Sequence, residues 1–159
     1  MEGRLGDARA PYRSPTKRRE IVARRLDADR DCWLATSHPE HGPYVVPLSF
    51  VCQEGNVFLS THERRPAVRN VLSEPRVMLV LGGHADAITL VGECAVLPLD
   101  SVGGDVRERY VRKAGWAPEA GSGFVMLKVR ADGNPVQSLA GRAFGSRDLE
   151  RGKSAVLVM

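Results

Sequence analysis

Cys32-Trp33-Leu34-Ala35-Thr36-Ser37, the breaker cluster His38-Pro39-Glu40-His41-Gly42-Pro43, and then Tyr44-Val45-Val46-Pro47-Leu48-Ser49-Phe50-Val51 decide the fold of this chain. Two short runs rich in apolar, β-branched and aromatic residues flank a turn made of residues that interrupt regular structure. Glu54-Gly55-Asn56 then turns the chain into a third run, Val57-Phe58-Leu59-Ser60-Thr61. Strands of this length joined by short turns form antiparallel hairpins, and a series of them closes into a barrel. Pro47 interrupts the second run. Proline has no N–H to give to a ladder, so its side of that strand is an edge, a bulge or a gap.

Working outward, Ser14-Pro15 starts a helix that runs to about Leu26, with Ile21, Val22 and Leu26 as its apolar stripe. A second short helix spans 66–73, with Pro66 in its first turn and Glu74-Pro75 at its end. Residues 76–81 read as a fourth strand stopped by Gly82-Gly83, and 87–97 as a long fifth with Gly92 at a bend. A helix over 101–113 steps Val102, Val106 and Tyr110 along one face, and 123–130 makes the sixth strand. The fold class is therefore mainly β with peripheral helices, a six-stranded antiparallel barrel. Residues 1–15 read as a flexible N-terminal tail and 16–145 as the barrel domain. Residues 146–159 form a C-terminal segment in which Ala155-Val156-Leu157-Val158 is a candidate edge strand.

Composition narrows the partners. With 159 residues, 43% of them hydrophobic and 26% charged, the chain can bury one core and does not read as disordered. The net charge of +4 favours anionic partners, yet much of the excess lies in the first thirty residues rather than on a clustered face. A phosphorylated small molecule would use the same charge, so the balance alone leaves both classes open; no nucleic acid is assigned as a partner. No apolar stretch reaches a membrane span, which argues against a membrane partner. Three cysteines, Cys32, Cys52 and Cys94, each sit inside an apolar run, an odd count that suits buried free thiols in a cytoplasmic protein.

Self-sufficient catalytic motifs are missing. His62-Glu63 does not extend to a two-histidine zinc helix, because Pro66 stands at the fourth following position. His38 and His41 share a turn with no second ligand pair in sequence and read as surface histidines, so no metal is assigned. No Ser or Cys lies in a nucleophile elbow, and no Gly-x-Gly-x-x-Gly follows a strand. Any redox activity would be carried by a cofactor.

Two segments carry the chemistry that is left. The second strand is apolar on both faces, which calls for a helix or a second subunit over its outer side, or for a flat aromatic ligand along it. Ser60-Thr61-His62-Glu63-Arg64-Arg65-Pro66-Ala67-Val68-Arg69-Asn70 places two hydroxyls at a strand end, then arginines, then a helix start. Guanidinium forks and helix N-termini both suit a phosphate; a solvated charge run at a helix start accounts for the same residues.

The order of Leu34-Ala35-Thr36, Val45-Val46-Pro47, Ser60-Thr61, Arg69-Asn70 and Glu74-Pro75-Arg76-Val77 resembles the pyridoxamine 5'-phosphate oxidase-like FMN-binding split-barrel family. Val91-Gly92-Glu93-Cys94-Ala95, Tyr110 with Gly115-Trp116-Ala117-Pro118, and Ala140-Gly141-Arg142 are similar to its later landmarks. The resemblance implies a homodimeric split barrel with flavin in the clefts between subunits and a small-molecule redox substrate. It implies that Val46, Pro47, Leu48 and Ser49 lie along the ring, and that Ser60, Thr61, Arg64, Arg65, Arg69 and Asn70 hold FMN at its phosphate end. One departure stands out: where the family usually has lysine, three residues before Asn70, this chain has Ala67. The deazaflavin coenzyme F420 in the same fold, or a non-catalytic binding barrel, are the alternatives that this departure leaves open.

Overall fold

A computed structural model describes residues 15–83 and 87–132. The elements run α1 (Pro15–Ala28), β1 (Asp31–His38), β2 (Gly42–Gln53), β3 (Asn56–His62), α2 (Pro66–Ser73), β4 (Arg76–Leu81), β5 (Ile88–Pro98), α3 (Gly104–Ala114) and β6 (Phe124–Ala131). All strand pairs are antiparallel, and the sheet closes in the order β1-β2-β3-β6-β5-β4, with β4 returning to β1. The six-stranded barrel expected from the hairpin pattern is present. The helix cap at Ser14, the landmark Ala140-Gly141-Arg142 and the C-terminal segment lie outside the described residues.

Alternation along each strand divides the side chains between two cores. Leu34, Phe50, Leu59, Leu79, Leu90, Leu127 and Val129 point into the barrel, and α1 and α2 join them through Val22, Leu26, Ala67, Val68 and Val71. Each fully buried Leu or Phe contributes about 2 kcal/mol. A second cluster lies outside the wall, where α3 lays Val106, Tyr110 and Ala114 on Val51, Phe58 and Met126. That explains why β3 is buried on both faces from Val57 to Thr61: one face meets the barrel interior and the other meets α3.

The second helix and the fourth strand fall where proline and glycine punctuation put them. The third helix starts later than its apolar steps suggest. Leu99–Ser101 form a 3-10 turn in which the Ser101 hydroxyl donates to the Pro98 carbonyl at 2.7 Å. Val102 is extended, so the α-helix begins only at Gly104.

Gly92 is needed for a close approach. A Cβ there would overlap the Arg130 carbonyl oxygen and lie 2.7 Å from the Ala131 Cα. Gly92 pairs with Val77 on one side and Ala131 on the other, so neither neighbour can yield without disturbing its own ladder.

Candidate functional site

Four seams of the barrel pair through six to eight residues, whereas β1–β4 pairs through three and β2–β3 through four. β2 pairs with β1 through residues 42–49, then changes partner and pairs with β3 through residues 50–53 only. β3 continues past that point, but its residues 60–62 pair with β6 alone. Beyond the Phe50–Leu59 pair no ladder joins the two strands across the gap, and the edge of β2 that would face β3 is left without a ladder partner.

The polarity of that edge follows from the two-residue period of a strand. Phe50 N–H donates to the Arg30 carbonyl at 3.0 Å, and the Tyr44 carbonyl accepts from Thr36 Oγ1 at 3.4 Å, both on the β1 side. Alternation turns the backbone groups of Val45, Pro47 and Ser49 toward the gap. Pro47 has no N–H to lose there, which is why the ladder tolerates it. The edge thus offers the N–H groups of Val45 and Ser49 and three carbonyls.

Side chains near the gap are arranged in three ways. Val46 and Leu48 point inward and pack against the barrel core, whereas Pro47 is exposed on the outer face. Ser49 turns its hydroxyl back toward β1 and donates to Asp31 Oδ1 at 2.6 Å. This bond, reinforced by Arg30, holds the Asp31 carboxyl below its ordinary value, against a smaller opposing effect of burial. Ser60 and Thr61 are both buried, and the Ser60 hydroxyl donates to the Val125 carbonyl at 3.1 Å.

Asn70 is 1% exposed on α2, and its Nδ2 donates to Thr36 Oγ1 at 3.1 Å. Its Oδ1 is buried without a hydrogen-bond partner among the described residues. Sequence reading did not assign Thr36 to the site. The signal was available: Cys32 and Leu34 occupy the inward positions of β1, and a hydroxyl at the next inward position needs a partner.

The arginines stand apart from this buried group. Arg64 and Arg65 are exposed in the turn between β3 and α2, and Arg69 is exposed on α2 beside His41, whose imidazole it holds below the usual histidine value. Ala67, at the position where lysine was expected, is fully buried in the barrel core. The start of α2 has few N–H groups to offer. Pro66 has none, Arg65 N–H donates to the His62 carbonyl at 3.0 Å, and Val68 N–H donates to the Arg65 carbonyl at 3.0 Å. The gap therefore offers backbone donors and acceptors along its β2 side. The exposed positive charge just before α2 lies on Arg64 and Arg65 of the turn.

The outer face beside the gap is apolar. Trp33 pairs with Pro47 and Val80, and Ala35 pairs with Val45 and Met78, forming a patch across β2, β1 and β4. Trp33 is 49% and Val45 55% exposed, and no element among the described residues lies over them. Of the two coverings expected for β2, a helix serves only its C-terminal half, where α3 covers Val51.

The family model of pyridoxamine 5'-phosphate oxidase matches residues 19–143. The chain belongs to that family. Among similar solved structures are an F420 reductase, 16% identical, covering 67% of this chain and 90% of its own, at a TM-score of 0.55. A FAD-binding protein from Mesorhizobium loti is 18% identical over 70% of this chain and 88% of its own, at a TM-score of 0.52. The heme storage protein of Vibrio cholerae is 16% identical over 72% of this chain and 90% of its own, at a TM-score of 0.58. At these identities the likeness is one of fold. A comparison with curated protein sequences finds no match. No helix among the described residues is long and apolar enough to cross a membrane.

Proposed function

We propose that this family member is an FMN-binding oxidoreductase that works as a homodimer on a small conjugated substrate. The observation that carries the reading is the opened β2–β3 seam, an unpaired strip of backbone bordered by an apolar outer face. Val45 and Ser49 N–H and the neighbouring carbonyls match the alternating acceptors and donors along the edge of an isoalloxazine ring. Arg64 and Arg65 supply the charge for its phosphate. Hydride exchange at N5 is the chemistry such a ring contributes when bound. The chain's own part is to bind, orient and exclude water. A second copy over Trp33, Val45 and Met78 would bury this apolar face and give the gap its opposite wall.

The F420 coenzyme is the second reading, and the burial of Ala67 favours it. With no ammonium group at that helix position, the terminal phosphomonoester of FMN lacks a fixed partner, whereas the phosphate of F420 is a diester within its tail and needs no such partner.

Titration of the full chain with FMN, riboflavin and F420 separates the possibilities. Tighter binding of FMN than of riboflavin, weakened about tenfold in R64Q/R65Q with folding unchanged, supports the first reading. Tight F420 and weak FMN supports the second. Binding of none of them at micromolar concentration refutes both and leaves a non-catalytic barrel. Sedimentation should show a dimer that V45E converts to monomer; a wild-type monomer would remove the second wall.

A further inference from the structure

The β1–β2 turn lies at the far end of the open β2 edge and has a chemistry unrelated to flavin. We infer that His38, Glu40 and His41 form a surface site for a divalent transition-metal ion of the zinc, nickel or copper type. In sequence the two histidines have no second ligand pair nearby. In the folded turn the Glu40 carboxylate joins them, and one ligand atom from each of the three lies within 4.8 Å of the others.

The turn is stiff. His38 pairs with Gly42 across the hairpin, so only Pro39, Glu40 and His41 bridge the strands. Pro39 restricts its own φ, and Gly42 takes φ +74°, the left-handed conformation that closes a three-residue hairpin loop. The backbone is therefore already fixed, and what remains is rotation of side chains. Ligands in a tetrahedral site stand about 3.4 Å apart, given metal–ligand bonds near 2.1 Å. Closing the cluster from its present spread needs χ changes in groups that solvent leaves free to turn. The imidazole rings already lie 4.5 Å apart between centroids.

Ligand chemistry selects the ion. Two imidazole nitrogens and one carboxylate oxygen make a borderline donor set, which prefers zinc, nickel and copper over calcium and magnesium. His38 Nδ1 now accepts from Glu40 N–H at 3.1 Å, so the neutral ring carries its proton on Nε2. Coordination through Nε2 moves that proton to Nδ1 and hands the Glu40 N–H to water, which an exposed turn allows at little cost. Arg69, beside His41, opposes an incoming cation, and its exposed side chain can swing away. Three protein ligands leave the remaining positions to water.

The test uses tag-free full-length protein and Zn2+ or Ni2+ in turn, by calorimetry and equilibrium dialysis. The expected result is one ion per chain. H38Q and H41Q should each weaken binding about tenfold and E40Q about threefold, while H38Q/H41Q abolishes it. Circular dichroism checks that each variant is folded. A wild type that binds neither ion at millimolar concentration, or an H38Q/H41Q variant that binds like wild type, overturns the site. Since the outcome does not depend on flavin, failure here leaves the cofactor reading intact, and the reverse also holds.

Discussion

Two seams of the same barrel behave oppositely. Along β5 and β6, seven residue pairs run without interruption from Gly92–Ala131 to Pro98–Val125, so tightly that Gly92 cannot carry a Cβ. Between β2 and β3 only four pairs form before the strands part. The contrast lies in where the backbone polar groups go. In the sealed seam the ladder satisfies them; in the opened one they must find water or a ligand. A barrel gains a free backbone edge by giving up ladder bonds in its short seams, β2–β3 and β1–β4, while the long seams keep it closed enough to hold the shape.

The largest expected effect follows from breaking the sealed side. G92V forces a Cβ into the Arg130 carbonyl and the Ala131 backbone, where no flexible side chain can move aside. It should cost about 3 kcal/mol or prevent folding, as measured by urea denaturation. A loss under about 1 kcal/mol would mean that the seam is softer than its geometry implies, and that the contrast with β2–β3 is overstated.

Much of this architecture was legible because it is local. Pro66 and the Glu74-Pro75 pair bracket α2, Gly82-Gly83 ends β4, and a turn over 39–41, inside the breaker cluster, separates β1 from β2. Pro47 even marked which strand would have a vacant side. The partner change at Phe50 was not legible, since periodicity says which face a residue takes and not which neighbour its backbone meets. The Thr36–Asn70 bond joins residues 34 apart, and only the packing of α2 on β1 brings them together. In the sequence Ala67 stands where the family pattern has a lysine. That the position lies inside the core, where a lysine would have to bury its stem, needed the fold.

An intermediate effect tests the buried polar pair beside the opened seam. N70A removes the donor to Thr36 Oγ1 and should cost about 2 kcal/mol. In T36V/N70L both partners become apolar at similar volume, so stability should recover toward wild type. A double variant as weak as N70A would show that the loss comes from packing and not from the bond. If T36V/N70L is stable and binds FMN less well, the orphaned Asn70 Oδ1 contributes to the cofactor site. Unchanged FMN affinity would confine Asn70 to a structural role.

The smallest effect concerns Ser49, the first residue beyond the parting of β2 and β3. Its hydroxyl is directed back to Asp31 on β1 instead of across the gap to β3. Because Asp31 accepts this bond as a carboxylate, its folded value lies below the ordinary 3.8. A depressed acid stabilises the fold above its unfolded value, and the contribution disappears as pH falls through the folded one. Both groups are solvent-accessible, so the bond contributes less than about 1 kcal/mol. S49A should therefore trail the wild type by a small constant margin between about pH 5 and 7, and the margin should close at more acid pH. Denaturation curves across that range decide it. A margin that widens toward acid would mean that Ser49 favours protonated Asp31, against the bond to the carboxylate.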